Sequence, residues 1–159
     1  MAINRALILN GPSSVGKTSI GLALRKTLPG NFHLIQWDTF LEMPPLTPPS
    51  PTLKYAFLDA AHSLLQQEHN VILDIVSREE FLQTICGRLT DFAPYLVGIS
   101  ARPDIIAARL ATRPERVPTL LAEQADLHNG IKYDLEIDTS DTDISLSTDK
   151  IANAFKLIL

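Results

Sequence analysis

The chain has 159 residues, of which 45% are hydrophobic and 20% charged, and its formal net charge is −4. This composition is typical of a globular domain and argues against a disordered protein or one that binds nucleic acid through a basic surface. No apolar run is long enough to cross a membrane, residues 1–10 lack the long apolar region and cleavage site expected of a signal peptide, and Cys86 is the single cysteine. We therefore expect one cytoplasmic domain over residues 1–159 that binds neither nucleic acid nor a membrane. The sequence leaves its oligomeric state open.

The first predicted strand, residues 5–10 (RALILN), leads directly into the turn GPSSVGKT at 11–18. Residues 17–28 repeat apolar side chains at helical spacing and predict a helix that Pro29 and Gly30 end. The turn fits G-x-x-x-x-G-K-[ST], the phosphate-binding P-loop, in the strand–turn–helix context that this motif requires. Its glycines let successive backbone N–H groups face one anion, and the helix dipole adds positive charge there. The alternative is a turn that uses glycine only for its geometry.

The P-loop assigns a role to each of its polar side chains. Lys17 is expected to reach the β- and γ-phosphates, and the Thr18 hydroxyl is expected to bind Mg²⁺, which prefers oxygen ligands. We expect the whole turn and the residue after it to hold the nucleotide: Gly11, Pro12, Ser13, Ser14, Val15, Gly16, Lys17, Thr18 and Ser19.

Strand-like and helix-like runs alternate through the rest of the chain. Four further strands are predicted, at 33–37, 71–76, 95–100 and 133–139. Predicted helices cover 53–70, a segment that starts with a capping-box spacing at Ser77 and Glu80, 103–113, 119–128, and a closing helix capped by Ser147 or Thr148. Residues 43–52 contain five prolines and exclude a regular helix or a central strand.

This alternation predicts an α/β fold with a parallel sheet of about five strands and helices on both faces. Ligands in such sheets bind at the carboxyl ends of the strands. We therefore expect the loops at 11–18, 38–52, 74–80 and 100–118 to lie together, the last of them as a possible lid.

Two aspartates follow or end predicted strands. Asp38 comes directly after the second strand, where a carboxylate can accept the proton of an acceptor hydroxyl; the alternative is a helix N-cap. Asp74 lies near the end of VILDIV and resembles the carboxylate that holds Mg²⁺ in P-loop proteins; the alternatives are a cap or an ion pair with an arginine.

Four arginines lie between residues 102 and 116 of a chain that is acidic overall: Arg102, Arg109, Arg113 and Arg116. Arg109 and Arg113 are four residues apart and share a helix face, which favours an anionic partner. Arginines of a lid can neutralise charge on a transferring phosphoryl group, whereas the simpler interpretation is a solvated basic face.

Three stretches together resemble the chloramphenicol phosphotransferase-like family of P-loop kinases: LNGPSSVGKTSI, WDTFLEM and RPERVPTLLAEQADLHNGIKYDLEIDTS. The resemblance implies a five-stranded P-loop kinase fold that uses ATP and Mg²⁺ and transfers the γ-phosphoryl group to a small-molecule hydroxyl. It also implies that Asp38 is the general base, that Arg113 and Arg116 act from the lid, and that residues 138–140 lie near the adenine. Segment 43–52 is shorter than the acceptor-side helices of the family, which leaves the acceptor open.

Two other functions remain open at this point. One is a regulatory nucleotide-binding module without acceptor catalysis, and the other is a kinase of nucleosides or shikimate-type metabolites. The presence of both Asp38 and the lid arginines favours a small-molecule O-kinase, because a module without catalysis has little need of either.

Overall fold

The described residues of the computed structural model, 5–43, 50–114 and 119–158, form one five-stranded sheet. Its strands are β1 (Ala6–Asn10), β2 (Phe32–Gln36), β3 (Asn70–Ile75), β4 (Tyr95–Ser100) and β5 (Leu135–Asp138). The order across the sheet is β2-β3-β1-β4-β5, and every neighbouring pair is parallel. The predicted α/β fold with a parallel sheet is therefore confirmed. Because β1 lies between β3 and β4, the crevice at the carboxyl end of β1 is where such a fold binds ligands.

Seven α-helices connect or follow the strands of the described chain. They are α1 (Lys17–Thr27), α2 (Trp37–Glu42), α3 (Leu53–Gln66), α4 (Glu79–Arg88), α5 (Pro103–Ala111), α6 (Leu120–Glu123) and α7 (Ile144–Lys156), with a 3₁₀ turn at Thr90–Phe92. In the described part of the chain, no helix combines the length and the apolar character needed to cross a membrane.

Helices cover both faces of the sheet because side chains of a strand alternate between its faces. Leu7 and Leu9 of β1 join one buried cluster with side chains of α1, α5 and α7. Ala6 and Ile8 join a second buried cluster with side chains of α3 and α4. All five residues of β1 are buried, which explains why the strand reads as a continuous apolar run.

The predicted cap of the last helix is wrong. Asp143 is the N-cap of α7, and its Oδ1 accepts a hydrogen bond from the Leu146 backbone N–H at 2.7 Å. Ser147 and Thr148 lie inside the helix and are buried, and the Thr148 hydroxyl donates to the Ile144 carbonyl. Asp143 caps as well as serine does and also places a negative charge at the positive end of the helix.

The predicted capping box before α4 is also absent. Arg78 is the N-cap of α4 and makes no side-chain cap hydrogen bond. Ser77 is held elsewhere, because its backbone N–H donates to Asn10 Oδ1 at 2.8 Å. The buried side chain of Asn10 in β1 therefore binds Ser77, the residue that the capping box required as its N-cap.

Candidate nucleotide and phosphoryl-transfer site

The P-loop follows β1 and has the backbone conformation that its glycines permit. A Cβ on Gly11 would lie 2.1 Å from the carbonyl oxygen of Ile99, so only glycine lets the loop pass β4 this closely. Gly16 has φ +101°, a left-handed conformation that glycine adopts without strain. Val15 is fully buried and anchors the loop in the core. The turn therefore uses its glycines for geometry and also leaves its polar side chains at the sheet edge.

Two P-loop side chains already make specific contacts. Lys17 is 7% exposed, and its Nζ donates to the Pro12 carbonyl oxygen at 2.8 Å. The Thr18 hydroxyl donates to Asp74 Oδ2 at 2.6 Å. The two residues predicted to bind the metal are thus in direct contact, although 56 residues separate them in sequence.

The Asp74 carboxyl is buried, and both this burial and several neighbouring groups shift its pKa. Burial raises its pKa above the ordinary value, and Lys17 and the hydrogen bond from Thr18 oppose that shift. The negative charge of Asp38 raises the pKa further, and a hydrogen bond with Gln36 lowers it. A cation bound at this carboxylate would therefore stabilise the ionised form that burial disfavours.

Asp38 lies in the first turn of α2, because this helix begins at Trp37 where the sequence predicts the end of a strand. Gln36 occupies the N-cap position, so the interpretation of Asp38 as a helix cap is wrong. An acidic side chain in the first turn is favoured by the helix dipole. The first turn of α2 therefore carries the Asp38 carboxylate at the carboxyl end of β2, in the same cleft as the P-loop.

The donor set around Thr18 and Asp74 fits Mg²⁺, because it consists of a hydroxyl and a carboxylate oxygen. Within residues 5–43, 50–114 and 119–158, no cluster of three or more His, Cys, Asp or Glu side chains could hold a metal ion. Mg²⁺ commonly binds through one or two protein groups together with substrate phosphates, and this site suits that arrangement.

One cleft brings most of the predicted catalytic residues together. Its lining includes Lys17, Thr18, Asp38, Asp74 and Arg113, together with the P-loop residues Ser13, Ser14, Gly16 and Ser19 and the apolar residues Trp37, Ile75 and Val76. Arg116, predicted as a second lid arginine, lies outside the described residues. The cleft thus combines cations that suit phosphates with two carboxylates.

A second cleft lies on the other side of the P-loop, and Arg109 and Thr139 are part of its lining. The Arg109 guanidinium donates to the Thr139 carbonyl at 2.8 Å, to the Thr139 hydroxyl at 3.0 Å and to the Ser14 carbonyl at 3.3 Å. The Thr139 hydroxyl in turn donates to the Val15 carbonyl at 2.7 Å. Arg109 is thus engaged in bracing the P-loop against the end of β5, a role that its sequence pattern did not indicate.

Arg102 is separate from the cleft. It forms ion pairs with Asp141 at 2.5 Å and with Asp104 at 3.4 Å, and all three side chains are largely exposed. For this arginine the interpretation as part of a charged surface is correct. Arg102 therefore lies apart from Arg109 and Arg113, which both line the second cleft.

Sequence reasoning missed Gln124, which follows α6. Its Oε1 accepts a hydrogen bond from the backbone N–H of Ser13 at 2.7 Å, across 111 residues of sequence. A side chain from the segment after α6 thus accepts a hydrogen bond from a P-loop N–H. Because the donor is a backbone N–H, which every residue except proline has, no sequence motif predicts this contact.

A second missed feature is a buried polar chain that starts at Asn10, the last residue of β1. Asn10 is fully buried, and its amide nitrogen donates to the Ser77 carbonyl at 2.9 Å and to the Tyr133 hydroxyl at 3.0 Å. Because the phenol oxygen accepts there, its own hydrogen is available to His128 Nδ1, 2.7 Å away. Burial raises the pKa of Tyr133 to about 12 and lowers the pKa of His128, so both groups are neutral at pH 7.

The parallel sheet with its central P-loop, and the acidic residues beside that loop, define a P-loop kinase fold. The model of the family described as "Chloramphenicol phosphotransferase-like protein" matches residues 4–156, so the chain belongs to that family. No curated protein matches the sequence.

Solved structures share the fold at low sequence identity. The chain is similar to a tunicamycin resistance protein from Deinococcus radiodurans, with 18% identity, a TM-score of 0.73, and coverage of 96% of this chain and 95% of that one. A sugar kinase from Janibacter sp. HTCC2649 has 12% identity, a TM-score of 0.72 and coverage of 96% and 95%. A gluconokinase from Sinorhizobium meliloti 1021 has 14% identity, a TM-score of 0.69 and coverage of 99% and 95%. At these identities the likeness establishes the fold alone.

Proposed function

We propose that the protein transfers the γ-phosphoryl group of ATP to a hydroxyl group of a small molecule. Its family and its fold support a kinase that acts on a small molecule. The observation that carries the finer proposal is the single cleft that holds Lys17, the Thr18–Asp74 pair, Asp38 and Arg113. A regulatory nucleotide-binding module would use the lysine and the threonine but would not need a second carboxylate beside them.

Each side chain of the cleft has a distinct part in this reaction. Lys17 exchanges its bond to the Pro12 carbonyl for the β- and γ-phosphates. The Thr18 hydroxyl and the Asp74 carboxylate would hold Mg²⁺, which would supply positive charge to offset that of the nucleotide phosphates. Arg113 neutralises charge that spreads over the transferring phosphoryl group.

Asp38 accepts the proton of the acceptor hydroxyl. As the bond from the acceptor oxygen to the γ-phosphorus forms, the bond from that phosphorus to the bridging oxygen of ADP breaks. The proton passes from the hydroxyl to the Asp38 carboxylate and then to solvent. Loose phosphoryl-transfer transition states need limited help from a base, so the contribution of Asp38 lies near the lower end of general-base effects.

The test is Asp38→Asn, which keeps the size of the side chain and removes its charge. We expect transfer to fall roughly 100-fold while the Kd for Mg-ATP and the melting temperature change little. Transfer is measured as phosphorylated product against a panel of hydroxylated antibiotics, nucleosides, sugars and hydroxy acids. Asp149→Asn, on the exposed face of α7, is the matched control.

Near-normal transfer by a folded Asp38→Asn protein would refute the assignment of the base. If no compound of the panel yields product with the unmodified protein, a regulatory nucleotide-binding module replaces the kinase as the better explanation.

A further inference from the structure

A hollow with mostly apolar walls adjoins the phosphate cleft. The two share the lining residues Trp37, Ile75 and Val76, so they lie side by side. Trp37 directly precedes Asp38 in the first turn of α2. The hollow therefore lies next to the part of the cleft that carries Asp38, and none of the P-loop residues is part of its lining.

The walls of the hollow are mainly aromatic and aliphatic. Trp37 meets Phe57 edge to face, with ring centroids 5.5 Å apart, and Phe81 and Ile85 complete the lining. Phe57 is 1% exposed and Ile85 is fully buried, so these walls are fixed parts of the core. They suit a flat apolar body.

The polar groups of this lining are largely committed to other partners. The Ser77 hydroxyl donates to the Arg78 carbonyl at 3.1 Å. The Arg78 guanidinium is bonded to Asp126 at 2.7 Å and to the Glu123 carbonyl at 2.8 Å. A polyol would bury several hydroxyl groups against these walls without partners, which costs free energy for each of them.

Lys54 is the exception. Its Nζ lies 4.8 Å from the ring centroid of Phe81 and 5.4 Å from that of Tyr55, at the edge of the hollow. The described residues supply no ion pair to this half-buried ammonium.

Charge is thus distributed unequally along the hollow. The carboxylates of Asp38 and Asp74 line the adjoining cleft, and the lining of the hollow itself carries the ammonium of Lys54. An anionic group on a bound molecule is repelled by those carboxylates and attracted by the lysine. The same molecule then places a hydroxyl group, which carries no charge, beside Asp38.

We propose that the acceptor is a hydroxy acid with an apolar, preferably aromatic, body. Its hydroxyl lies at Asp38, its body contacts Trp37, Phe57 and Phe81, and its carboxylate pairs with Lys54. Lys54 is then the residue that determines specificity for the acid. This inference rests on the proposed kinase function, whose failure the experiment below detects separately.

Four probes separate the two features of the acceptor. The compound 4-(hydroxymethyl)benzoate has both the apolar body and the charge, and its methyl ester keeps only the body. Gluconate keeps the charge on a polyol, and glucose has neither feature. Trp37 is the only tryptophan of the chain and lines the hollow, so its fluorescence reports binding directly.

We expect the benzoate to bind at least tenfold more tightly than the ester, gluconate or glucose. Lys54→Gln should abolish the preference for the acid over the ester, and Lys54→Arg should retain most of it. Binding of the ester should be the same in all three proteins. Lys150→Gln, an exposed lysine of α7, is the matched control and should change nothing.

Equal affinity for acid and ester, tighter binding of gluconate, or an unchanged preference in Lys54→Gln would overturn the inference. Product formation, followed by mass spectrometry with Mg-ATP, tests the kinase function on its own. Lys54-dependent binding without any product would overturn the kinase proposal and support the ligand class. Transfer to the ester or to glucose as fast as to the acid would support the kinase proposal and overturn the proposed ligand class.

Discussion

Replacing Thr139 with valine should loosen the P-loop, because this one hydroxyl joins three parts of the molecule. Thr139 directly follows β5 and is 5% exposed. Its hydroxyl donates to the Val15 carbonyl at 2.7 Å, lies 3.2 Å from the Ser100 carbonyl and accepts from Arg109 at 3.0 Å. Valine has nearly the same shape, so the substitution removes hydrogen bonds and leaves no cavity.

The expected cost follows from these contacts. Leaving a buried polar partner without its hydrogen bond costs about 1–3 kcal/mol. For a domain of this size, 1 kcal/mol corresponds to about 2–4 °C in melting temperature, so the expected decrease is about 2–12 °C. Because the Val15 carbonyl belongs to the phosphate loop, we also expect the Kd for Mg-ATP to rise about 3- to 10-fold.

The matched control is Thr139→Ser, which keeps the hydroxyl and loses one methyl group, at a cost of about 1 kcal/mol. Both variants should melt below the unmodified protein, but only the valine variant should bind Mg-ATP more weakly. Melting is followed by calorimetry and binding by titration calorimetry. Thr139→Val with unchanged melting temperature and unchanged Kd would refute the inferred brace.

Three further predictions concern the cleft. Lys17→Ala should weaken Mg-ATP binding in titration calorimetry while the protein stays folded, and normal binding and turnover would contradict the P-loop assignment. Arg113→Ala should lower kcat more than it raises KM for ATP, because its charge acts mainly during transfer; no change in either would leave it a solvated side chain. Asp74 has a raised pKa when folded, so its stabilising contribution is present below its ordinary pKa of 3.8 and is lost as pH rises through the folded value. Without nucleotide, Asp74→Asn should therefore be at least as stable as the unmodified protein at pH 7, and its free energy of unfolding in urea should depend less on pH. Mg-ATP at 100 times its Kd stabilises the unmodified protein by about 2.7 kcal/mol, and the variant should lose most of that stabilisation. A less stable Asn variant with intact Mg-ATP stabilisation would contradict this account of Asp74.

The sequence predicted the sheet and the meeting of Thr18 with Asp74 because both depend on simple rules. Continuous apolar runs identify strands that are buried on two faces, and alternation with helices makes those strands parallel. The carboxyl ends of parallel strands then share one edge, so a residue after β1 and a residue near the end of β3 come together. The register confirms this geometry, since Leu9 of β1 pairs with Asp74 of β3.

The sequence could not predict which partners the polar side chains of this edge choose. The helix face shared by Arg109 and Arg113 predicted an anionic partner, and it gave no sign that the Arg109 guanidinium bonds to the carbonyls of Ser14 and Thr139. Asp143 is the N-cap of α7, whereas the sequence predicted Ser147 or Thr148. Several residues near the start of this helix can cap it equally well, so the sequence pattern alone does not select one of them. Backbone acceptors are present at every residue and carry no sequence signature, so only the tertiary structure selects among them.

Residues 123–126 contact both the P-loop and the loop between β3 and α4. Gln124 accepts a hydrogen bond from the P-loop N–H of Ser13, and Asp126 pairs with Arg78, which lines the hollow beside the cleft. The Arg78 guanidinium also donates to the Glu123 carbonyl, so both Glu123 and Asp126 bind this arginine of the loop between β3 and α4. The pair with Asp126 is exposed and contributes little to stability by itself. Its consequence for the hollow is electrostatic, because it pairs Arg78 and leaves Lys54 as the cation of the lining that has no ion-pair partner among the described residues.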